Sequence, residues 1–153
     1  MTKAEKEKEL FEQGYNCSQS VVGAFAQELG VDEQTALKLA SSFGGGLGGL
    51  REVCGAVSGM AIVAGFKYGY TDPKNPSAKA EHYQRIQYLA AKFKEENPSI
   101  VCKELLGLSG ITPSPVPAAR TQEYYKKRPC GELVSMAAKI MQDYIEQNPP
   151  ADK

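Results

Sequence analysis

The stretch from Phe43 to Gly69, FGGGLGGLREVCGAVSGMAIVAGFKYG, leaves the rest of the chain little choice. A glycine-rich turn leads to Cys54 and then to a run of small and apolar residues. The run lacks alternation and is longer than a typical strand, so residues 53–66 read as a helix that is apolar on nearly all sides. A helix with no face to give to water must lie at the centre of a domain. Cys54 falls in its first turn, where unpaired backbone N–H groups and the positive end of the helix dipole favour a thiolate. Arg51, just upstream, adds to that field.

Other helices follow from the pattern of the remaining chain. Residues 2–13 are charged and helix-favouring, with Leu10 and Phe11 the only sizeable apolar residues, so they form a short surface helix whose Lys and Glu run is solvated. Asn16 caps a second helix carrying Val21, Val22, Phe25 and Leu29 on one stripe, with Cys17 in its first turn. Asp32 caps a third with Ala36, Leu37, Ala40 and Phe43 inward. In the central helix, Gly55, Ala56, Ser58, Gly59, Ala61 and Ala64 bury little of their own. They serve to let neighbouring backbones or a bound group come close, which offsets the cost of about 1 kcal/mol per interior glycine.

After the turn TDPKNP, residues 77–97 form the longest helix, with Tyr83, Ile86, Leu89, Ala90 and Phe93 inward and Glu81, Arg85, Lys92 and Glu95 outward. His82, the only histidine, lies toward the polar side and reads as a surface residue. Asn97-Pro98-Ser99 starts a short segment with Cys102 near its beginning. LSGITPSPVPAAR, residues 108–120, is an irregular loop or lid. Arg128-Pro129 opens the last helix, with Cys130 in its first turn and Leu133, Val134, Ala137, Ile140, Met141, Tyr144 and Ile145 on one stripe. No strand pattern appears. The fold class is therefore all-α: a compact single-domain bundle of about six helices over residues 1–147, with 148–153 a disordered tail.

Composition narrows the function. Eighteen basic residues balance eighteen acidic ones, so no overall field attracts nucleic acid or an anionic membrane. The N-terminal residues lack the apolar core of an export signal, and no apolar run reaches the roughly 20 residues of a bilayer span, which points to the cytoplasm. Thiols are kept reduced there, so four cysteines imply redox or metal chemistry ahead of structural disulfides.

The four cysteines share a position. Cys17, Cys54 and Cys130 fall in first turns and Cys102 lies close to another helix start, so convergence of those ends would create a pocket rich in N–H donors and thiols. That pocket suits a thiolate, a metal–sulfur centre or an anionic ligand. The spacings of 37, 48 and 28 positions contain no C-x-x-C pair, which excludes the usual zinc knuckle, thioredoxin-type dithiol and ferredoxin run. Zinc, copper(I) or an iron–sulfur cluster held by all four remains an alternative, as does burial of each cysteine as a small apolar filler. The glycine-rich turn lacks the Gly-Lys-Ser/Thr ending of a phosphate loop. Tyr15, Tyr68, Tyr70, Tyr83, Tyr124 and Tyr125 read as half-buried packing residues.

These residues resemble the family named for its cysteine signature, C-GCAxxG-C-C, whose members are described as redox-active. The resemblance runs through Asn16-Cys17, the glycines after Phe43, Cys54-Gly55-Ala56-Val57-Ser58-Gly59, Cys102 and Cys130, with all four signature cysteines in order. It carries Cys17, Cys54, Gly55, Ala56, Gly59, Cys102 and Cys130 onto this chain as the functional set, without separate roles. Neighbouring transporter genes in the family imply a membrane transporter as an alternative partner. The leading expectation is a cytoplasmic thiol–disulfide redox protein with an unidentified redox partner, in which Cys54 attacks and Cys17 resolves.

Overall fold

Polar residues placed just before apolar periodicity start the helices. Thr2 and Asn16 each form a reciprocal capping box, Thr2 with Glu5 and Asn16 with Gln19, while Asp32 and Asn75 accept from Thr35 N–H and Ala78 N–H. The computed structural model describes residues 2–108, 113–117, 119–121 and 130–150. Arg128-Pro129, Tyr124, Tyr125, parts of the 108–120 loop and the end of the tail lie outside them.

Among the described residues there is no strand, and beside a 3₁₀ turn at Ser41–Phe43 and a single turn at Gly44–Leu47 whose Gly45 and Gly46 are not helical, there are seven helices: α1 (Lys3–Glu12), α2 (Cys17–Leu29), α3 (Glu33–Ala40), α4 (Gly55–Tyr68), α5 (Pro76–Lys94), α6 (Cys102–Leu105) and α7 (Cys130–Gln147). The all-α expectation holds. The central helix is displaced by two residues from its expected 53–66, because Cys54 is the N-cap of α4 and Val53 is instead paired with Val101 in an isolated antiparallel bridge. A single bridge has no alternation to read.

The apolar helix α4 is at the centre, as its composition requires, and shares that place with α2. Helix α2 packs on α1, α3, α4 and α7, and its most extensive contact is with α4. Gly59 allows this approach: a Cβ there would stand 2.8 Å from Val21 Cβ. Phe25, Met60, Val63, Phe93 and Met141 are fully buried around the pair, each contributing roughly 1.5–3 kcal/mol of burial.

Two faces differ from the sequence expectation. Helix α1 is no surface helix, since Glu7, Leu10 and Phe11 are all buried against α2 and α7. On α5, Tyr83 is 51% exposed where it was expected inward, because α5 lies at the bundle edge and buries only Leu89 and Phe93 fully. Arg85 turns the other way: its guanidinium stacks 4.6 Å from the Tyr68 ring centroid and its Nε donates to Tyr144 Oη at 3.0 Å. That geometry suits a planar cation with apolar faces better than open water does. His82 stays half-buried at the edge, with Arg85 Nη1 2.8 Å from its Nδ1.

Candidate functional site

A left-handed turn places the site. From Gly45 to Gly49 every residue has positive φ, Leu47 included at 73°, and after Leu50 Arg51 returns to the same region at 63°. At Gly46 a side chain is excluded twice, by φ of 69° and because a Cβ would lie 2.6 Å from Glu52 N. The turn is closed by bonds from Gly48, Arg51 and Glu52 N–H groups to the carbonyls of Ser42, Gly45 and Gly46, at 2.8, 3.0 and 2.8 Å. It brings the chain back so that Cys54 N–H donates to Ile100 O at 2.7 Å and Cys102 N–H donates to Glu52 O at 2.5 Å. The Val53–Val101 bridge thus sets the starts of α4 and α6 side by side.

Four separate elements deliver the cysteines to one cavity. Cys17 is the first residue of α2, Cys54 caps α4, Cys102 opens α6, and Cys130 is the first residue of α7. All four line a cavity of about 330 Å³, and none is in a disulfide. Gly55 sits between two of them: a Cβ there would lie 3.1 Å from Cys17 Cβ and 3.0 Å from Phe43 O, so only glycine lets the α2 and α4 starts come this close. Arg51 and Gly55 line the cavity. Ala56 and Gly59 do not; Ala56 is fully buried behind the wall and Gly59 is packed on Val21.

The thiols differ electrostatically. Cys17 is pushed well above the ordinary thiol value, first by its hydrogen bond to Cys130, then by burial and by the nearby Cys130, Cys54 and Cys102 sulfurs. Cys17 therefore gives up its proton less readily than a free thiol does. Cys54 is raised to about 11, chiefly by burial; the N–H groups of Ala56 and Val57 pull the other way, as a helix start should, and are outweighed. The expectation that its helix terminus makes Cys54 the acidic thiol is not met. Arg51 acts elsewhere: its Nη1 donates to Cys102 Sγ at 3.7 Å.

The cavity wall also contains residues beyond the expected site set. Phe11, Asn16, Leu105, Leu106 and Leu133 supply walls, and Ser114 to Pro117 of the proline-rich segment close over one side. A Cβ on Gly49 would lie 2.8 Å from Ser114 O, so this segment rests directly on the glycine turn. Arg120 anchors its end by donating to the carbonyls of Phe11 and Tyr15 and stacking 4.2 Å from the Phe11 ring centroid. Of the described tyrosines, only Tyr15 is bonded into this neighbourhood, through its carbonyl; Tyr68, Tyr70 and Tyr83 do not line the cavity. Among the described residues, no group of three or more His, Cys, Asp or Glu side chains stands in an arrangement that could hold a metal ion. No helix among them is long and apolar enough to cross a membrane.

A family model described as "Putative redox-active protein (C_GCAxxG_C_C)" matches residues 15–144, which include all four cysteines. Its signature writes glycine before the second cysteine, whereas this chain reads Cys54-Gly55-Ala56. No curated protein and no solved structure matches the chain.

Proposed function

We propose, from the premise that this chain belongs to the C_GCAxxG_C_C family, that it is a thiol–disulfide redox protein whose working dithiol is Cys17 and Cys130. The observation that carries this reading is the shared cavity, which cysteines from four separate elements line and where Cys17 is hydrogen-bonded to Cys130. Because Cys17 holds its proton more tightly than a free thiol, we assign it as the resolving sulfur and its neighbour Cys130 as the attacking one.

In the first step the Cys130 thiolate forms an S–S bond to one sulfur of a disulfide RS–SR′ and R′S⁻ leaves. In the second, Cys17 attacks Cys130 within the mixed disulfide, RS⁻ leaves, and the Cys17 proton passes to a departing thiolate. The substrate disulfide gains two electrons, the protein loses two, and a reducing dithiol returns them. Cys54 and Cys102 make a second disulfide the expected product of full oxidation. Four thiols kept reduced between turnovers fit the cytoplasm as the compartment.

Alkylation and peptide mass mapping across a series of thiol–disulfide buffers test the assignment. The Cys17–Cys130 bond forms first and reversibly, Cys17→Ser accumulates a mixed disulfide on Cys130, and Cys130→Ser exchanges little. Four thiols that stay reduced against a strong disulfide oxidant such as diamide overturn the redox reading. A first bond between other cysteines overturns the roles.

A further inference from the structure

The walls of the cavity carry charge of one sign only. Two guanidinium groups line it, those of Arg51 and Arg120, and no Asp or Glu among the described residues does. Neither arginine forms an ion pair with any described carboxylate: Arg51 spends one donor on Cys102 Sγ, and Arg120 donates to the neutral carbonyls of Phe11 and Tyr15. The described salt bridges lie elsewhere, and the nearest in sequence joins the adjacent Glu52 to Lys103 and leaves Arg51 out. Two fixed cations facing a partly apolar hollow create a potential that water and salt screen poorly.

Arg51 is also held where an L-residue is disfavoured. Its φ of 63° is one of two positive values outside glycine among the described residues, in a segment otherwise rich in glycine. Glycine would fit that backbone without strain, and an arginine is found there with its guanidinium turned into the cavity wall.

We infer that the site selects small anionic disulfides, and that Arg51 is the residue that reads the charge. This rests on the dithiol reading above and names its substrate class: a low-molecular-weight disulfide bearing carboxylates, of a size suited to a cavity of about 330 Å³. The exchange chemistry is the one already written, with a carboxylate of RS–SR′ beside Arg51 while Cys130 approaches sulfur. A guanidinium offers two parallel donors to a carboxylate, which a thiol cannot match, so the ligand displaces the contact with Cys102.

The test measures exchange rates of the full chain with three disulfides of similar size: dithiodipropionate (anionic), hydroxyethyl disulfide (neutral) and cystamine (cationic). Each rate is divided by that disulfide's rate with free mercaptoethanol, which removes its intrinsic reactivity. The normalised order is anionic, neutral, cationic, with about tenfold per step at low salt and a compressed spread at high salt. In Arg51→Gly the anionic-to-neutral ratio collapses toward one whatever happens to the absolute rates, and in Arg51→Lys most of it survives. Equal normalised rates in the wild-type chain, or a ratio that persists in Arg51→Gly, overturn the inference and leave the redox reading standing. If no disulfide reacts, the redox reading fails and this inference with it.

Discussion

Glu7 shows how far one side chain's setting can depart from its place in the sequence. It sits in a run of Lys and Glu that reads as solvated, yet it is fully buried, accepts from Ser135 Oγ at 2.7 Å, and has no partner for Oε2 among the described residues. Burial is the larger influence and raises its carboxyl from 4.5 to about 7, the Ser135 bond and Lys8 opposing. The folded chain therefore holds this proton more tightly than the unfolded one, so its contribution to stability is complete below 4.5 and is lost as pH rises through about 7. Thermal melts across about pH 5 to 8 should show the wild type losing stability relative to Glu7→Gln, whose amide cannot ionise and still accepts from Ser135. Parallel profiles for the two proteins would mean that Glu7 ionises no differently in the fold. The same balance governs Cys54, where position at a helix start was legible and burial was not. The sequence names the neighbours along the chain, while desolvation depends on those that arrive from elsewhere.

At the scale of elements, the α2–α4 pair decides whether the cavity exists, because both helices begin at its wall. The small residues of α4 were legible as a surface for close approach, since nothing else explains so many of them in one buried helix. Which glycine meets which helix was not legible. Gly59 faces Val21 with a Cβ distance of 2.8 Å, while Gly65 would meet nothing within 4 Å. Alanine should therefore act in opposite directions at two positions of one helix. Gly65→Ala gains about 0.5–1 kcal/mol of helix propensity. Gly59→Ala has the same gain and loses more to overpacking against the stiff, β-branched Val21, for a net loss of about 1–2 kcal/mol. Denaturant titration of both variants checks this, and Val21→Ala in the Gly59→Ala background should recover part of the loss. Equal effects at the two sites would contradict the packing described. The helix caps at Asn16 and Asp32 could be read because a cap is local, within three residues. The Val53–Val101 bridge could not, because its partners are distant and one pair carries no pattern.

For the molecule as a whole, the proposed chemistry and the stability of the fold are two sides of one thermodynamic cycle. Cys17 and Cys130 belong to α2 and α7, near opposite ends of the chain, and folding alone makes them neighbours. Their spacing along the sequence gave no sign of this, because spacing records connection and not convergence. A bond between them closes a loop on the order of 100 residues, which restricts the unfolded chain far more than the folded one; bonds of this kind contribute about 2–4 kcal/mol. Oxidation should then raise the melting temperature by roughly 4–16 °C for a chain of this size. The cycle requires that whatever oxidation adds to folding, folding adds to the disulfide, so a gain of about 3 kcal/mol makes the folded dithiol more reducing than the unfolded one by about 65 mV. Melts of fully reduced and Cys17–Cys130-oxidised protein, set beside the midpoint potential from alkylation in thiol–disulfide buffers, measure both arms. A melting temperature that falls on oxidation would mean that the fold holds the two sulfurs in a geometry the bond must strain. The protein would then be an oxidant of other thiols, and not the reductant of small disulfides that its cavity is proposed to be.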